Sequence, residues 1–592
     1  MKSSKSGSKN PSKIRTQQTN LMNEALLLNK AGLLKERILQ DTDLLRDVQA
    51  GMAAGGRDSF TVFLSICDGE SRAKVFHKNG ESVQEAFEKA LHAAKSGISG
   101  KKNYKPIWVK ADVVDSAQAI DFRGINKRMK EVQFAYFYRS GLAFDSDFKT
   151  AFLEAELNSN DMLKYDVENI KFQRANLDEC PLSLERVNGY MQKNQREPAI
   201  AEIPKQLFEF GTRGFFIDEK NAIYELHNKG ISTGMRNIGP INADITRDMV
   251  LKASRYLANL LDSEGKFTYG YYPMFGRAID TYNIVRHASS LWSLVNLYRM
   301  TGEQEMLEKL NTSIEYMISK HVEYRDKDTA YVVERTTNEI KLGASGVAVI
   351  MLSEYMDVVG NSRYADVVRS LANGIVALQN ADTGSFTHVL SFPSYEVLEE
   401  FRIVYYDGEA VFALARAYSL LKDDKYLSSA VAGVEHFIKN DYTVHCDHWV
   451  AYAMYEVTKH MPEPRFFEFA MRNVQENLAK IHGRATTFHT YLELLMISWQ
   501  TYERIVESGI KLDYMDTFDV GYFVETIFKR AEIMRGGFLR PESAMYLNYP
   551  SKAADTFIVR HAKYRIRIDD IQHSIGGYYF FMVHYDSLGS IR

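Results

Sequence analysis

The chain has 592 residues, 45% hydrophobic and 25% charged, the composition of a soluble globular protein long enough for more than one domain. A net charge of −3 and a pI near 6.6 argue against nucleic-acid binding driven by bulk positive charge. Cys67, Cys180 and Cys446 are odd in number and far apart, which excludes a disulfide framework and a cysteine-based zinc site. No unbroken apolar run of roughly 18 residues marks a transmembrane helix.

Met1 to Asn20 mixes Lys2, Lys5, Lys9, Lys13 and Arg15 with polar residues and lacks the apolar core of a signal peptide. It reads as a disordered basic tail, and the expected setting is cytoplasmic. A polar helical segment follows to about Met52, and residues 1–54 form one unit. Phe60 to Ile66 is strand-like, Asp68-Gly69 signals a hairpin, and Arg72 to Phe76 returns as a second strand. Ser82 with Glu85 three residues on is a capping box opening a helix to Ala94. Residues 107–114 and 132–138 add strands, and 213–217 with 222–226 form a hairpin turned at 219–221. Residues 55–235 therefore read as an α+β domain without a catalytic motif.

From Asp244 the period becomes helical. The spacing predicts twelve helices, at 244–263, 282–300, 303–320, 342–359, 362–379, 407–421, 424–439, 446–460, 464–480, 487–507, 517–535 and 570–586. Segments such as Gly346 to Leu352 and Ala410 to Ala415 are apolar all round, as buried helices should be. Others, such as Glu303 to Leu310, are amphipathic. Alternating outer and inner helices, taken as six hairpins, imply a closed all-α ring over 244–592.

All inner helices of such a ring start at one end, where free N–H groups and the helix dipole favour anionic groups. The loops feeding them are polar and aromatic, while the opposite ends look ordinary. They offer Tyr271, Tyr272, Arg277, Asp280, Tyr282, Arg286 and His287; Arg335; Tyr405, Tyr406, Asp407 and Glu409; Asp447, His448 and Trp449; His489; and Arg567, Asp569, Asp570, Gln572 and His573. Asp407, Asp447 and Asp569 are also competent simply as helix caps, and His287 as a satisfied core histidine. His445, His448, His489 and His573 do not form a compact metal motif, so no metal is expected. GxGxxG, Walker A and GxSxG patterns are missing, so no cofactor is expected.

The phrase Tyr405-Tyr-Asp-Gly-Glu-Ala-Val-Phe-Ala-Leu-Ala-Arg-Ala-Tyr418, set among alternating helices, resembles the six-hairpin (α/α)6 toroids. It is similar to the inner helices of glucuronyl C5-epimerases, N-acylglucosamine 2-epimerases and unsaturated glucuronyl hydrolases. The resemblance covers about 244–592 and matches no one family's catalytic signature. It implies a carbohydrate-active enzyme, and fold alone does not fix the reaction.

Glycoside hydrolysis needs an acid and a base or nucleophile, which Asp407 or Glu409 and Asp569 or Asp570 would supply. This is the first expectation. Epimerase or lyase chemistry would use His287, His573 or a tyrosine as acid and base, with arginine neutralising a substrate carboxylate. Either way the expected partner is an anionic, uronate-containing saccharide bound by the remaining residues named above. The alternative of a different class is a non-catalytic saccharide-binding or assembly factor.

Overall fold

A computed structural model of the chain describes residues 11–99, 104–131, 138–165, 176–194, 196 and 199–591. The first ten residues of the expected tail, and all but Tyr138 of the strand expected at 132–138, lie outside these. The rest of the expected tail is helical. A helix runs over Pro11–Gln40, and a second, Thr42–Ala54, begins where the Asp41 carboxylate caps the Leu44 N–H.

The α+β part is built on seven antiparallel strands: β1 Phe60–Cys67, β2 Lys74–Gly80, β3 Trp108–Asp121, β4 Gly141–Ala143, β5 Ala151–Phe152, β6 Gln206–Ile217 and β7 Ile223–Glu225. Their order is β2-β1-β3-β6-β4-β5, with β7 also paired to β6. Both faces are covered, which explains why β1 is apolar almost throughout. Val62, Leu64 and Val109 pack beneath Leu27, Leu34 and Phe87 of the flanking helices. Phe63, Trp108, Phe210 and Phe216, on the other face, belong to the same continuous core as the helical ring.

The ring has twelve helices: α1 Ala243–Ala258, α2 Ile284–Thr301, α3 Gln304–His321, α4 Leu342–Val359, α5 Ala365–Ala377, α6 Tyr405–Leu421, α7 Asp424–Lys439, α8 His448–Val457, α9 Pro464–Gln475, α10 Thr490–Ser508, α11 Val520–Arg535 and α12 Ile568–Val583. The even-numbered helices are inner. Each packs on the next, and α12 packs back on α2, which closes the ring. The structure is thus an (α/α)6 toroid over this part of the chain. By length and composition α4 could cross a membrane, but it is an inner helix packed between α2 and α6. The centre is filled: Trp292 of α2 stacks on Trp449 of α8 at 5.9 Å from the opposite side, and Phe412 stacks on Tyr452.

Three expectations are corrected. The ring is not all-α, because its connections form a five-stranded sheet over 322–399 and a three-stranded sheet joining 270–272, 277–278 and 566–567. These strands are two to five residues long, too short to show an alternation. The helix expected at 464–480 breaks after Gln475 and resumes at Leu478. Nor is the far end of the inner helices ordinary. Arg299 pairs with Glu354, and Arg416 bridges Glu354, Asp357 and Glu456.

Sheet and ring are joined by polar contacts. The Ser65 and Tyr546 hydroxyls lie 2.8 Å apart, the Ala73 N–H donates to the Met545 carbonyl, and Arg236 grips Glu542 through both guanidinium and backbone N–H. The Glu542 side chain is fully buried, and Arg236 keeps its carboxyl below the ordinary range against the cost of burial. Arg236→Leu should therefore leave an uncompensated buried charge and lower stability by about 3–5 kcal/mol in denaturant unfolding. A loss below about 1 kcal/mol would place the anchor elsewhere.

Candidate active site

The first turns of the inner helices converge at one end of the ring, and a cluster of buried ionisable groups gathers there. His573 of α12 and Glu493 of α10 are its centre: Nδ1 of the histidine lies 2.7 Å from Oε2 of the carboxylate. Burial opposes a charge on His573, but Glu493 outweighs it and the histidine's pKa is raised. Its side chain remains 19% exposed, so the ring reaches open space with Nδ1 already engaged. Gly576 makes the arrangement possible, because a Cβ there would stand 2.4 Å from Glu493 Oε1. His448 of α8 completes the group, its ring 5.1 Å from that of His573 and its Nε2 3.8 Å from Glu493 Oε2. That Nε2 is buried without a hydrogen bond. His448, Glu493 and His573 each offer a ligand atom within 4.8 Å of the others, a set a divalent metal could use. The 2.7 Å contact has the length of a charge-assisted hydrogen bond.

Glu409 of α6 lies deeper. Burial, and then the nearby Asp447, push its pKa well above the carboxylate range, and Arg286 offsets this only partly. Its Oε2 has no hydrogen-bond partner and occupies space left by Gly343, where a Cβ would stand 2.0 Å away. Asp447 caps α8 through the Trp449 N–H and leaves Oδ2 unpartnered. Tyr405 sets its ring edge-on to His448 at 5.8 Å, and burial raises its hydroxyl to about 12. Tyr406 packs beside His388. Trp449 is held against Trp292, while Gln572 is buried with Oε1 unpartnered.

The other carboxylates are tied down. Asp407 accepts from Tyr442 at 3.1 Å and lies 3.1 Å from His388 Nε2. Asp570 holds Arg565 at 2.9 and 3.0 Å and Arg567 at 3.3 Å. Asp569 holds Arg286 at 2.9 Å and also contacts Arg567. Arg286 further donates to the Tyr269 hydroxyl. The arginines nearest the cluster thus already carry carboxylates.

The remaining expected residues are dispersed. His287 is fully buried: the Tyr282 hydroxyl, which accepts from the Phe267 N–H, donates to Nδ1, and Nε2 faces Ser313. Burial lowers its pKa to about 3, so it is neutral. His489 contacts Ser574 at 2.6 Å and is likewise lowered by burial to about 3. Tyr271 donates to the Lys552 carbonyl, Arg277 lies over the Tyr272 ring, and Asp280 is exposed. Arg335 is bound to Glu323 and the Lys320 carbonyl on the small sheet, away from the cluster.

Glu493 is the functional candidate that reading the sequence missed. The sequence does carry a signal for it: an ionisable residue one turn into an otherwise apolar inner helix.

No family model matches the chain, and no curated protein matches it. Among solved structures it is similar to the cellobiose 2-epimerase from Bacillus thermoamylovorans B4167, at TM-score 0.45 and 11% identity over 58% of this chain and 99% of that one. A D-mannose isomerase gives a TM-score of 0.44 at 12% identity, covering 58% and 98%. The unsaturated glucuronyl hydrolase from Bacillus sp. GL1 gives 0.41 at 13%, covering 57% and 96%.

The histidines should leave opposite signatures in stability. The raised pKa of His573 makes its pairing with Glu493 fully stabilising below the ordinary histidine pKa of about 6.5 and lost as pH rises through the higher folded value. The lowered pKa of His287 and His489 makes their neutral burial stabilising above about 6.5 and lost as pH falls toward 3. Melting temperatures of wild type and Glu493→Gln should differ most below about pH 6.5 and draw together as pH rises through the raised His573 value. A gap independent of pH would show that the pair does not titrate as drawn.

Proposed function

We propose that the ring is the active site of a carbohydrate-active enzyme that moves a proton on its substrate, as epimerases and isomerases do. The observation that carries this is the Glu493–His573 dyad, 2.7 Å apart, whose Nδ1 is engaged and whose ring still reaches open space. A carboxylate that fixes the tautomer and raises the basicity of a histidine leaves Nε2 to take a proton from a carbon beside a carbonyl and return it. His448 stands within reach of the same space, and Tyr405 and Tyr406 supply half-buried aromatic faces for a sugar ring. The expectation of hydrolysis by Asp407, Asp569 or Asp570 loses support because each is committed to a neighbour.

Hydrolysis survives as a second reading on one observation. Burial pushes the Glu409 carboxyl well above the carboxylate range, and the nearby Asp447 leaves Oδ2 without a partner, so two carboxyl groups stand together as an acid and a base would. The division into 1–54, 55–235 and a ring from 244 belongs to the same proposal, with the sheet bracing the ring's mouth.

The test is turnover of a panel of reducing sugars and oligosaccharides in D2O, read by proton NMR. Wild type should wash deuterium into a carbon position, and His573→Gln should lose about 10²–10⁴-fold in rate while still binding sugar. Full activity of His573→Gln would sink the proposal. Loss of turnover in Glu409→Gln, with no deuterium fixed on carbon, would select hydrolysis.

A further inference from the structure

A cavity of about 740 Å³ opens where the sheet meets the ring, within the range of small-molecule sites. Its walls come from the β1–β2 hairpin, the helix Leu184–Lys193, and the ring segments around Met274 and Asn548. Four cations line it, Arg72, Lys74, Arg186 and Lys193, against two carboxylates, Glu70 and Glu185. Among the described residues, none of these six makes a salt bridge. Arg72 is held only by neutral oxygens: the carbonyls of Ser159, Met274 and Tyr546 and the side-chain oxygens of Asn160 and Asn548. Burial lowers its pKa to about 10, so it stays charged at neutral pH. Two exposed aromatic side chains, Phe275 and Tyr549, also line the cavity.

A short stretch of chain joins this groove to the mouth of the ring. The strand Gly270–Tyr272 pairs with Ile566 and Arg567, and residues 269 to 274 run from the Arg286 contact at Tyr269 to the groove wall at Met274. Gly270 to Tyr272 are extended and Pro273 and Met274 turn, so five residue steps set the two contacts at most roughly 18 Å apart. Positive charge is neutralised at the mouth, where Asp569 holds Arg286, and is in surplus in the groove.

We propose that the groove is a binding site for the acidic residues of an anionic glycan chain whose other end reaches the ring. Arg186 and Lys193 attract its carboxylates, Arg72 adds a fixed positive potential from the wall, and Phe275 and Tyr549 give it flat apolar faces to stack on. This rests on the saccharide reading of the ring and adds what that reading lacks, a place for negative charge.

The experiment uses the full chain and three probes: an oligogalacturonate hexamer, galacturonate itself, and a neutral gluco-hexamer, each titrated calorimetrically at low and high salt. Arg186→Glu/Lys193→Glu reverses two exposed charges outside the core, and Phe275→Ala/Tyr549→Ala removes the stacking faces. The charge variant should bind the hexamer at least about tenfold more weakly, with a flatter salt dependence, and the aromatic variant should weaken it several-fold. Turnover of a neutral monosaccharide, which does not reach the groove, should be unchanged in both, whereas turnover of acidic chains should fall with their binding. Equal hexamer affinity in wild type and the charge variant, no preference over the neutral hexamer, or no binding by wild type would each overturn the proposal. Unchanged hexamer binding alongside turnover lost in His573→Gln would refute the groove alone. Hexamer binding lost in the charge variant, with no sugar turned over by wild type, would refute the ring reading alone.

Discussion

The close approach of neighbouring inner helices over their first three turns is the constraint on which the site depends. Glycine provides it at each crowded point. A Cβ on Gly408 of α6 would meet Trp449 of α8 at 2.7 Å, and one on Gly577 of α12 would meet Leu492 of α10 at 2.9 Å. Gly343 and Gly576 do something more specific, since the space they leave is filled by the carboxylates of Glu409 and Glu493. A helix crossing without side chains between backbones costs propensity, by about 1 kcal/mol per glycine relative to alanine. Here it brings ionisable groups from three or four helices to within a few ångströms of each other, inside a core dry enough to shift their proton affinities.

Dryness comes from the aromatic filling of the ring's centre and from the sheet packed beside its mouth. Trp292 and Trp449 meet across the axis and close it. On the sheet side, Phe63, Phe210 and Phe216 share the ring's core, so sheet and ring bury one another's apolar faces. A sheet exposed on one face would read as alternating polar and apolar, and β1 does not. Its composition already demanded a second covering layer, and the ring supplies it.

How much of this could be read from the chain follows from the range of each interaction. Helix α4 at 342–359 and α7 at 424–439 coincide with their expected bounds, because a helix's apolar period and its end signals are local. The small sheets escaped notice because strands of two to five residues are too short to show a period, and the start at Pro11 escaped because a polar helix resembles a polar tail. The candidate site was half legible. His573, Glu409, Asp447 and His448 were found as polar residues at the starts of apolar helices. Glu493 stood among leucines with its partner eighty positions away. Asp407 and Asp570 looked equally available until His388, Tyr442 and Arg565, none of them foreseeable from spacing, took up their oxygens.

Polarity alone does not distinguish the two ends of the ring. The far end carries Arg299, Arg416, Glu354, Asp357 and Glu456, as charged as the mouth. There the arginines sit near helix C-termini, where the dipole favours cations, and each carboxylate has a guanidinium or ammonium partner. At the mouth the imbalance runs the other way: Glu409 Oε2, Asp447 Oδ2, His448 Nε2, His489 Nε2 and Gln572 Oε1 are buried without hydrogen bonds. An unpaired buried polar atom costs about 1–3 kcal/mol, so several together weaken the fold unless something polar enters to meet them. A hydroxyl-rich substrate or ordered water would satisfy them, whereas at the far end each carboxylate is already met by a cation and an arginine nitrogen, Arg416 Nε, is what that network leaves unpartnered. On the proposed reading, the end of the ring that binds is the one where buried carboxylate, imidazole and amide atoms are left without partners.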